Sequence, residues 1–261
     1  MNYTIAAIVP ALALAACIPG EIRNSVAEQE EGTEAIRFGE VSFIQLAPGV
    51  WQHTTYLDLP GFGPIPSNGL LVVDGDHTLL VDTAWTDFQT EQILRWAEQV
   101  QARPVRAAVI THAHRDKMGG IAALHQAGVD TWAHPLTNAL APENGFQPAK
   151  NAILFTDDGW AIGDAAIALA PLRIYFPGGA HTLDNITIGL PEHGLAFGGC
   201  MIKDSKARTL GNLADADVEN YASSVRNFSS AFPDASIIAM SHSPAEGRKA
   251  IARTLDLAND L

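Results

Sequence analysis

The chain is poor in cysteine, poor in basic residues and without a long apolar run. Each shortage closes off a class of protein. Two cysteines in 261 residues, Cys17 and Cys200, cannot staple a small disulfide scaffold. Sixteen Lys and Arg against 29 Asp and Glu give a net charge of −13. That balance argues against a generic nucleic-acid binder, whose nonspecific affinity comes from neutralising phosphates. The longest apolar stretch, Ile5 to Ala16, falls short of the roughly 20 residues a membrane-spanning helix needs. Low-complexity segments and short-period repeats are also lacking. What remains is a chain 47% apolar, enough for a substantial core and too apolar for global disorder.

The N-terminus reads as a targeting segment. The apolar run has the length of a signal-peptide core and ends in Leu14-Ala15-Ala16-Cys17. That ending resembles a bacterial lipobox, although Met1-Asn2-Tyr3-Thr4 lacks the usual Lys or Arg. Residues 1–17 are therefore expected to be a lipoprotein signal peptide with Cys17 lipidated. The expected location is the periplasm, with an anchor in the outer membrane. Residues 18–38, polar and charged, are expected to be a flexible tether, and 39–261 one folded domain. With Cys17 lipidated, Cys200 is a lone thiol in an oxidising compartment, which suggests use as a ligand or nucleophile.

Along the domain, strand patterns fall at 41–46, 50–56, 70–73, 78–81, 107–110, 131–133, 152–155, 166–169, 172–176, 186–190, 195–197 and 236–240. Helical patterns fall at 86–101, 118–127, 218–231 and 245–257. Leu59 to Pro66, rich in Pro and Gly, reads as a hairpin loop that moves over a ligand. Strands and helices alternate in two broad halves. The fold class is α/β, with two sheets packed face to face and helices outside.

The chemistry concentrates at strand ends. His112-x-His114-x-Asp116 follows a short buried strand directly. Three such ligands within five residues can converge on one small volume, and imidazole with carboxylate suits zinc. His181, Cys200 and His242 each follow another strand end. The bland alternative is a polar loop of hydrogen-bonding histidines. It accounts poorly for six ligand-type residues at four strand ends.

With these residues in hand, the chain resembles the subclass B1 metallo-β-lactamases. The stretches Val50-Trp51-Gln52-His53-Thr54, Asp82-Thr83-Ala84-Trp85-Thr86-Asp87, Asp116-Lys117-Met118-Gly119-Gly120 and Phe197 to Lys206 also carry the resemblance, which runs from about residue 37 to the C-terminus. It implies a four-layer αββα sandwich and two Zn2+ per chain. His112, His114 and His181 would hold the first ion, and Asp116, Cys200 and His242 the second. It implies a metal-bound hydroxide attacking the lactam carbonyl of penicillins, cephalosporins and carbapenems, with water or Asp116-linked water supplying the final proton. Lys203 would meet the substrate carboxylate. Asn212 would donate to the developing oxyanion, its alternative being simple turn chemistry. Asp82 would support the ligand loop. Leu57, Pro60, Phe62, Ile65 and Trp85 would form an apolar flap and floor, with core packing the alternative for Trp85. The expected partners are β-lactam antibiotics, with no nucleic acid, membrane contact only through the lipid, and a monomeric state.

Two other readings stand beside this one. Thioester or phosphodiester hydrolases of the same superfamily usually carry a His directly after the Asp. Here Lys117 stands there, and Cys200 occupies a ligand position. A binding-only protein that has lost turnover would need a depleted ligand set, and this one is complete. Arg115, beside the metal loop, receives no role, nor do His53, His77, His125, His134 and His193.

Overall fold

The computed structural model describes residues 34–261; the expected signal peptide with Cys17 and most of the expected tether lie outside the described residues. The first sheet has eight strands in sequential order: β1 (Ile36–Phe38), β2 (Val41–Ala47), β3 (Val50–Leu59), β4 (Gly63–Asp74), β5 (His77–Val81), β6 (Val105–Ile110), β7 (Asp130–Ala133) and β8 (Asn151–Ala152). β1 to β5 run antiparallel through hairpins, and β5 to β8 run parallel. A two-stranded ribbon follows, β9 (Leu154–Phe155) with β10 (Ala161–Ile162). The second sheet holds β11 (Arg173–Tyr175), β12 (Thr187–Leu190), β13 (Leu195–Phe197) and β14 (Ile237–Ala239), the last pair parallel. The helices are α1 (Asp87–Gln99), α2 (Arg115–Met118), α3 (Ile121–Gln126), α4 (Pro135–Leu140), α5 (Asp164–Ala168), α6 (Tyr221–Ala231) and α7 (Lys249–Asn259).

Side-chain alternation explains the layering. In β5, Leu80 points to one face, and Leu79 and Val81 to the other. In β6, Ala108 and Ile110 oppose Ala107 and Val109. Strands buried on both faces belong to a sheet covered on both sides. One face packs on α1 and α3 through Ile93, Trp96, Ile121 and Leu124, with Phe43 stacked on Trp96 at 4.0 Å. The other packs on the second sheet through Ile174, Ile188, Leu195 and Phe197. The second sheet's far face, with Ala196 and Ile238, meets Tyr221, Phe228 and Ile251 of α6 and α7. Three apolar interfaces make four layers, αββα, as expected.

Several sequence-based expectations need correction. β3 runs on to Leu59 and β4 starts at Gly63, so the expected 59–66 loop is a long ribbon with a tight tip. Phe62 N donates to Leu59 O at 2.9 Å, and Gly61 has φ +84°. With Pro60 before it, this is the arrangement of a type II turn. Residues 36–38 of the expected tether pair with β2 as β1. The expected strand at 166–169 is the end of helix α5, and the expected helix at 118–127 breaks at Gly119-Gly120. Residues 152–155 divide between β8 and β9, which belong to different sheets.

Candidate metal centre

Four strand ends deliver the candidate ligands. Beyond β6, Thr111 leads into His112 and His114, and Asp116 lies in the first turn of the short helix α2. His181 lies beyond β11, Cys200 beyond β13 and His242 beyond β14. Gly199 enters the left-handed region at φ +58°, which lets the chain turn sharply and present Cys200.

Two donor sets result. His112, His114 and His181 have their donor atoms within 4.8 Å of one another. Their rings stand nearly perpendicular, with centroids 4.7, 5.2 and 5.3 Å apart. His112 Nε2 and His181 Nδ1 are buried without a hydrogen-bond partner, a costly condition unless something else meets them. His114 has Nε2 on Asp215 Oδ2 at 3.1 Å, which leaves Nδ1 as its donor. In the second set, Cys200 Sγ lies 3.3 Å from both Asp116 Oδ2 and His242 Nε2, and those two lie 3.5 Å apart. Donors about 2.0–2.3 Å from a tetrahedral zinc stand about 3.3–3.8 Å apart. The donor types, spacings and orphaned imidazole nitrogens all fit zinc. His112, Asp116 and Cys200 also lie within 4.8 Å of each other, so the two sets adjoin.

The electrostatics suit a cation. Burial alone would push the Cys200 thiol up, but His242, Lys117 and His112 pull it well below the ordinary thiol value. Burial lowers His112, yet Cys200 and Asp116 overcome this and push it up to about 9; His242 is raised in the same way. His181 is lowered, chiefly by burial. The lowered thiol and the raised imidazoles support one another's charge, and a cation could take the imidazoles' part.

The ligand loop is pinned from several sides. Asp82, at the end of β5 with φ +63°, accepts from Thr111 N at 2.7 Å and from Thr111 Oγ1 at 2.9 Å. Four partners escaped the sequence reading. Asp184 accepts from Ala113 N and Thr137 Oγ1, and Asp215 meets His114. Ser67 donates to Asp116 O at 2.8 Å. Lys117 is fully buried; its Nζ donates to Ser67 Oγ (3.0 Å), Asn68 O (3.1 Å) and Asp116 Oδ2 (3.2 Å), with Asp82 Oδ2 at 3.7 Å. Burial disfavours the Lys117 charge, but Asp116, Cys200 and Asp82 raise its pKa above the usual lysine value. A lysine inside a ligand motif gives no sequence signal that it is buried, since lysine usually stays exposed.

The expected substrate contacts are less uniform. Leu57 and Ile65 are cross-strand partners near the ribbon tip, and Phe62 at the tip is 81% exposed. Trp85 is 7% exposed, so it is mostly buried, and it flanks an open cleft shared with Arg115, Asn144 and Phe146. Lys203 Nζ donates to Cys200 O at 2.6 Å. A Cβ on Gly211 would lie 3.8 Å from that ammonium, which brings the Asn212 loop beside Lys203. Asn212 is exposed, and its Oδ1 accepts from Ala214 N at 3.1 Å, the turn chemistry weighed above. His53 is a buried core histidine, its pKa lowered to about 3 by burial and by Lys117.

Comparison with known proteins agrees with this geometry. The sequence model of the Metallo-beta-lactamase superfamily matches residues 62–242. The chain is 32% identical over 220 residues to the metallo-beta-lactamase type 2 of Bacteroides fragilis, covering 84% of this chain and 86% of the relative. It is 30% identical over 236 residues to that of Bacillus cereus, covering 90% and 87%. Among solved structures, a metallo beta lactamase from Erythrobacter litoralis with beta mercaptoethanol in the active site is 74% identical. Its TM-score is 0.87, over 87% of this chain and 100% of the other. The FIM-1 enzyme of Pseudomonas aeruginosa in its mono-zinc form is 43% identical, with a TM-score of 0.81 over 86% and 97%. Sequence, fold and donor geometry converge, and the chain belongs to the metallo-β-lactamase superfamily.

Proposed function

We infer that this protein is a zinc-dependent β-lactamase that hydrolyses the lactam amide bond of penicillins, cephalosporins and carbapenems, and so confers antibiotic resistance. The observation that carries the reading is the pair of adjoining donor sets at the ends of four strands, one of three imidazoles and one of Asp116, Cys200 and His242. It is supported by relatives that bear the name metallo-beta-lactamase type 2. The finer assignment is two zinc ions per chain, the first on His112, His114 and His181, the second on Asp116, Cys200 and His242, as in subclass B1.

Bound zinc supplies a nucleophile from water near neutral pH and Lewis-acid stabilisation of the departing charge. The chain's own groups do the rest. Lys203, released from Cys200 O, pairs with the carboxylate of the antibiotic and fixes its orientation. The Asn212 amide donates to the lactam oxygen as negative charge grows there. Asp116 holds the proton at its carboxylate, with water, on the way to the ring nitrogen when the C–N bond breaks. Leu57, Phe62 and Ile65 of the ribbon cover the substrate's apolar groups and exclude water, with Trp85 beside the cleft. The reading extends to a monomer carried by a lipid on Cys17 in the periplasm.

The test is carbapenem hydrolysis by the purified protein, then after chelation, then after zinc is restored. Turnover should vanish and return. Zinc uptake without opening of any penicillin, cephalosporin or carbapenem would sink the reading in favour of another hydrolase of the superfamily.

A further inference from the structure

Strand β4 has β3 on one edge from Gly63 to Val72, but β5 joins the other edge only from Leu70. Between Gly63 and Gly69 that second edge has no strand. Pro64 and Pro66 fall at the alternate positions whose N–H would face it, where a missing donor costs nothing. What meets this edge is the loop that carries His242. Asn68 N donates to Ser241 O at 2.8 Å. The Asn68 carboxamide gives its two hydrogens to Met240 O at 2.9 Å and Ser243 O at 2.8 Å. One residue thus holds three backbone carbonyls on either side of His242. Two positions away, Pro66 O accepts from His242 Nδ1 at 2.7 Å, which fixes the tautomer and leaves Nε2 free to ligate.

Asn68 is itself locked. It is 3% exposed. Its Oδ1 accepts from Thr54 Oγ1 at 2.8 Å, and its carbonyl accepts from Lys117 Nζ at 3.1 Å. Its backbone N–H, both amide hydrogens, its amide oxygen and its carbonyl are all engaged, which only an Asn of this length and polarity can do here. Asp would turn an oxygen toward two carbonyls, and Ala would leave three carbonyls with one donor.

We propose that Asn68 is a positioning residue for the Asp116, Cys200 and His242 metal site, clamping the His242 loop to the open edge of β4 so that Nε2 stands where the ion requires it. The proposal rests on the two-ion reading above. It concerns affinity at one site, not the chemistry of the reaction.

The test compares the parent with Asn68→Asp, Asn68→Ala and Thr54→Val in stepwise zinc titrations against a chromophoric chelator. Cobalt(II) spectra accompany them, in which thiolate-to-cobalt charge transfer marks ligation by Cys200. In the Asn68 variants the second equivalent should weaken roughly 10–100-fold, with the first held within about twofold. The charge-transfer band should then need correspondingly more cobalt. Thr54→Val, which removes only the hydroxyl that steadies the Asn68 amide, should shift the second equivalent the same way by less, and it decides the question if the Asn68 variants do not fold. An unchanged second equivalent in folded variants overturns the clamp, as does equal weakening of both equivalents. A parent that takes up fewer than two equivalents overturns the two-ion reading, and the clamp with it.

Discussion

Replacing Lys117 by Met removes a charge from the interior while nearly keeping its volume. The Lys117 ammonium lies 3.2 Å from Asp116 Oδ2 and 3.7 Å from Asp82 Oδ2, with both carboxylates buried. At an effective dielectric constant of about 20, each contact is worth about 5 kcal/mol before the desolvation of the lysine is subtracted. Removing one partner of a buried pair typically costs about 3–5 kcal/mol, because the other is left uncompensated. The metal-free variant should lose that much near neutral pH. The loss should also depend on pH. Burial already pushes Asp82 up to about 6, against the pull of Lys117, and without the lysine it must rise further. A carboxylate whose folded pKa exceeds its unfolded value weakens the fold as pH rises through that interval, and the penalty is relieved on acidification. Denaturant unfolding of chelator-treated protein, followed by tryptophan fluorescence, should therefore show a gap between parent and variant that narrows from about pH 7.5 to about pH 5.5. A gap below about 1 kcal/mol at both pH values would refute the reasoning, because a buried charge triad cannot lose its cation so cheaply.

Two further outcomes follow from the same site. Because His112 is pushed up to about 9 in the metal-free protein and His242 is also raised, zinc must displace protons at neutral pH. Affinity should climb about tenfold per pH unit for each proton displaced, and calorimetry in buffers of different ionisation enthalpy should detect the release; equal affinity at pH 6 and pH 8 would contradict it. Lys203→Ala should raise KM for carboxylate-bearing lactams by roughly 10–100-fold, the range of a charge-assisted hydrogen bond, with kcat little changed; the opposite split in steady-state kinetics would move Lys203 from binding to turnover.

The candidate ligand set was legible because its residues follow strand ends, marked here by apolar runs stopping at Thr111, Pro177, Gly198 and Ser241. The β4–β5 hairpin and α1 were legible for similar local reasons: Asp74-Gly75-Asp76 is turn chemistry, and Thr86 caps α1 by accepting from Gln89 N. The ribbon tip misled because Pro64 and Pro66 read as loop residues, yet they sit on an edge that has no strand to bond. Helix α5 misled because Ala166 to Leu169 is too short for period to separate helix from strand. The supports of the site were hidden for another reason. Asp184, Lys117 and Asn68 act largely through contacts distant in sequence, such as Thr137 with Asp184 and Ser243 with Asn68, 47 and 175 positions apart, and no local pattern carries that.

The ligands divide between the two sheets. His112, His114 and Asp116 leave the eight-stranded sheet, and His181, Cys200 and His242 leave the four-stranded one. Each ion would therefore be a rivet through both halves of the sandwich, two ligands against one at the first site and one against two at the second. Where zinc is scarce, the rim of the sandwich would lose both rivets and keep a cluster of like and unlike charges that water can enter. On that assignment metal supply would govern how long each molecule survives proteases as well as how fast it works, and a chelator would act on the lifetime of the protein along with its turnover.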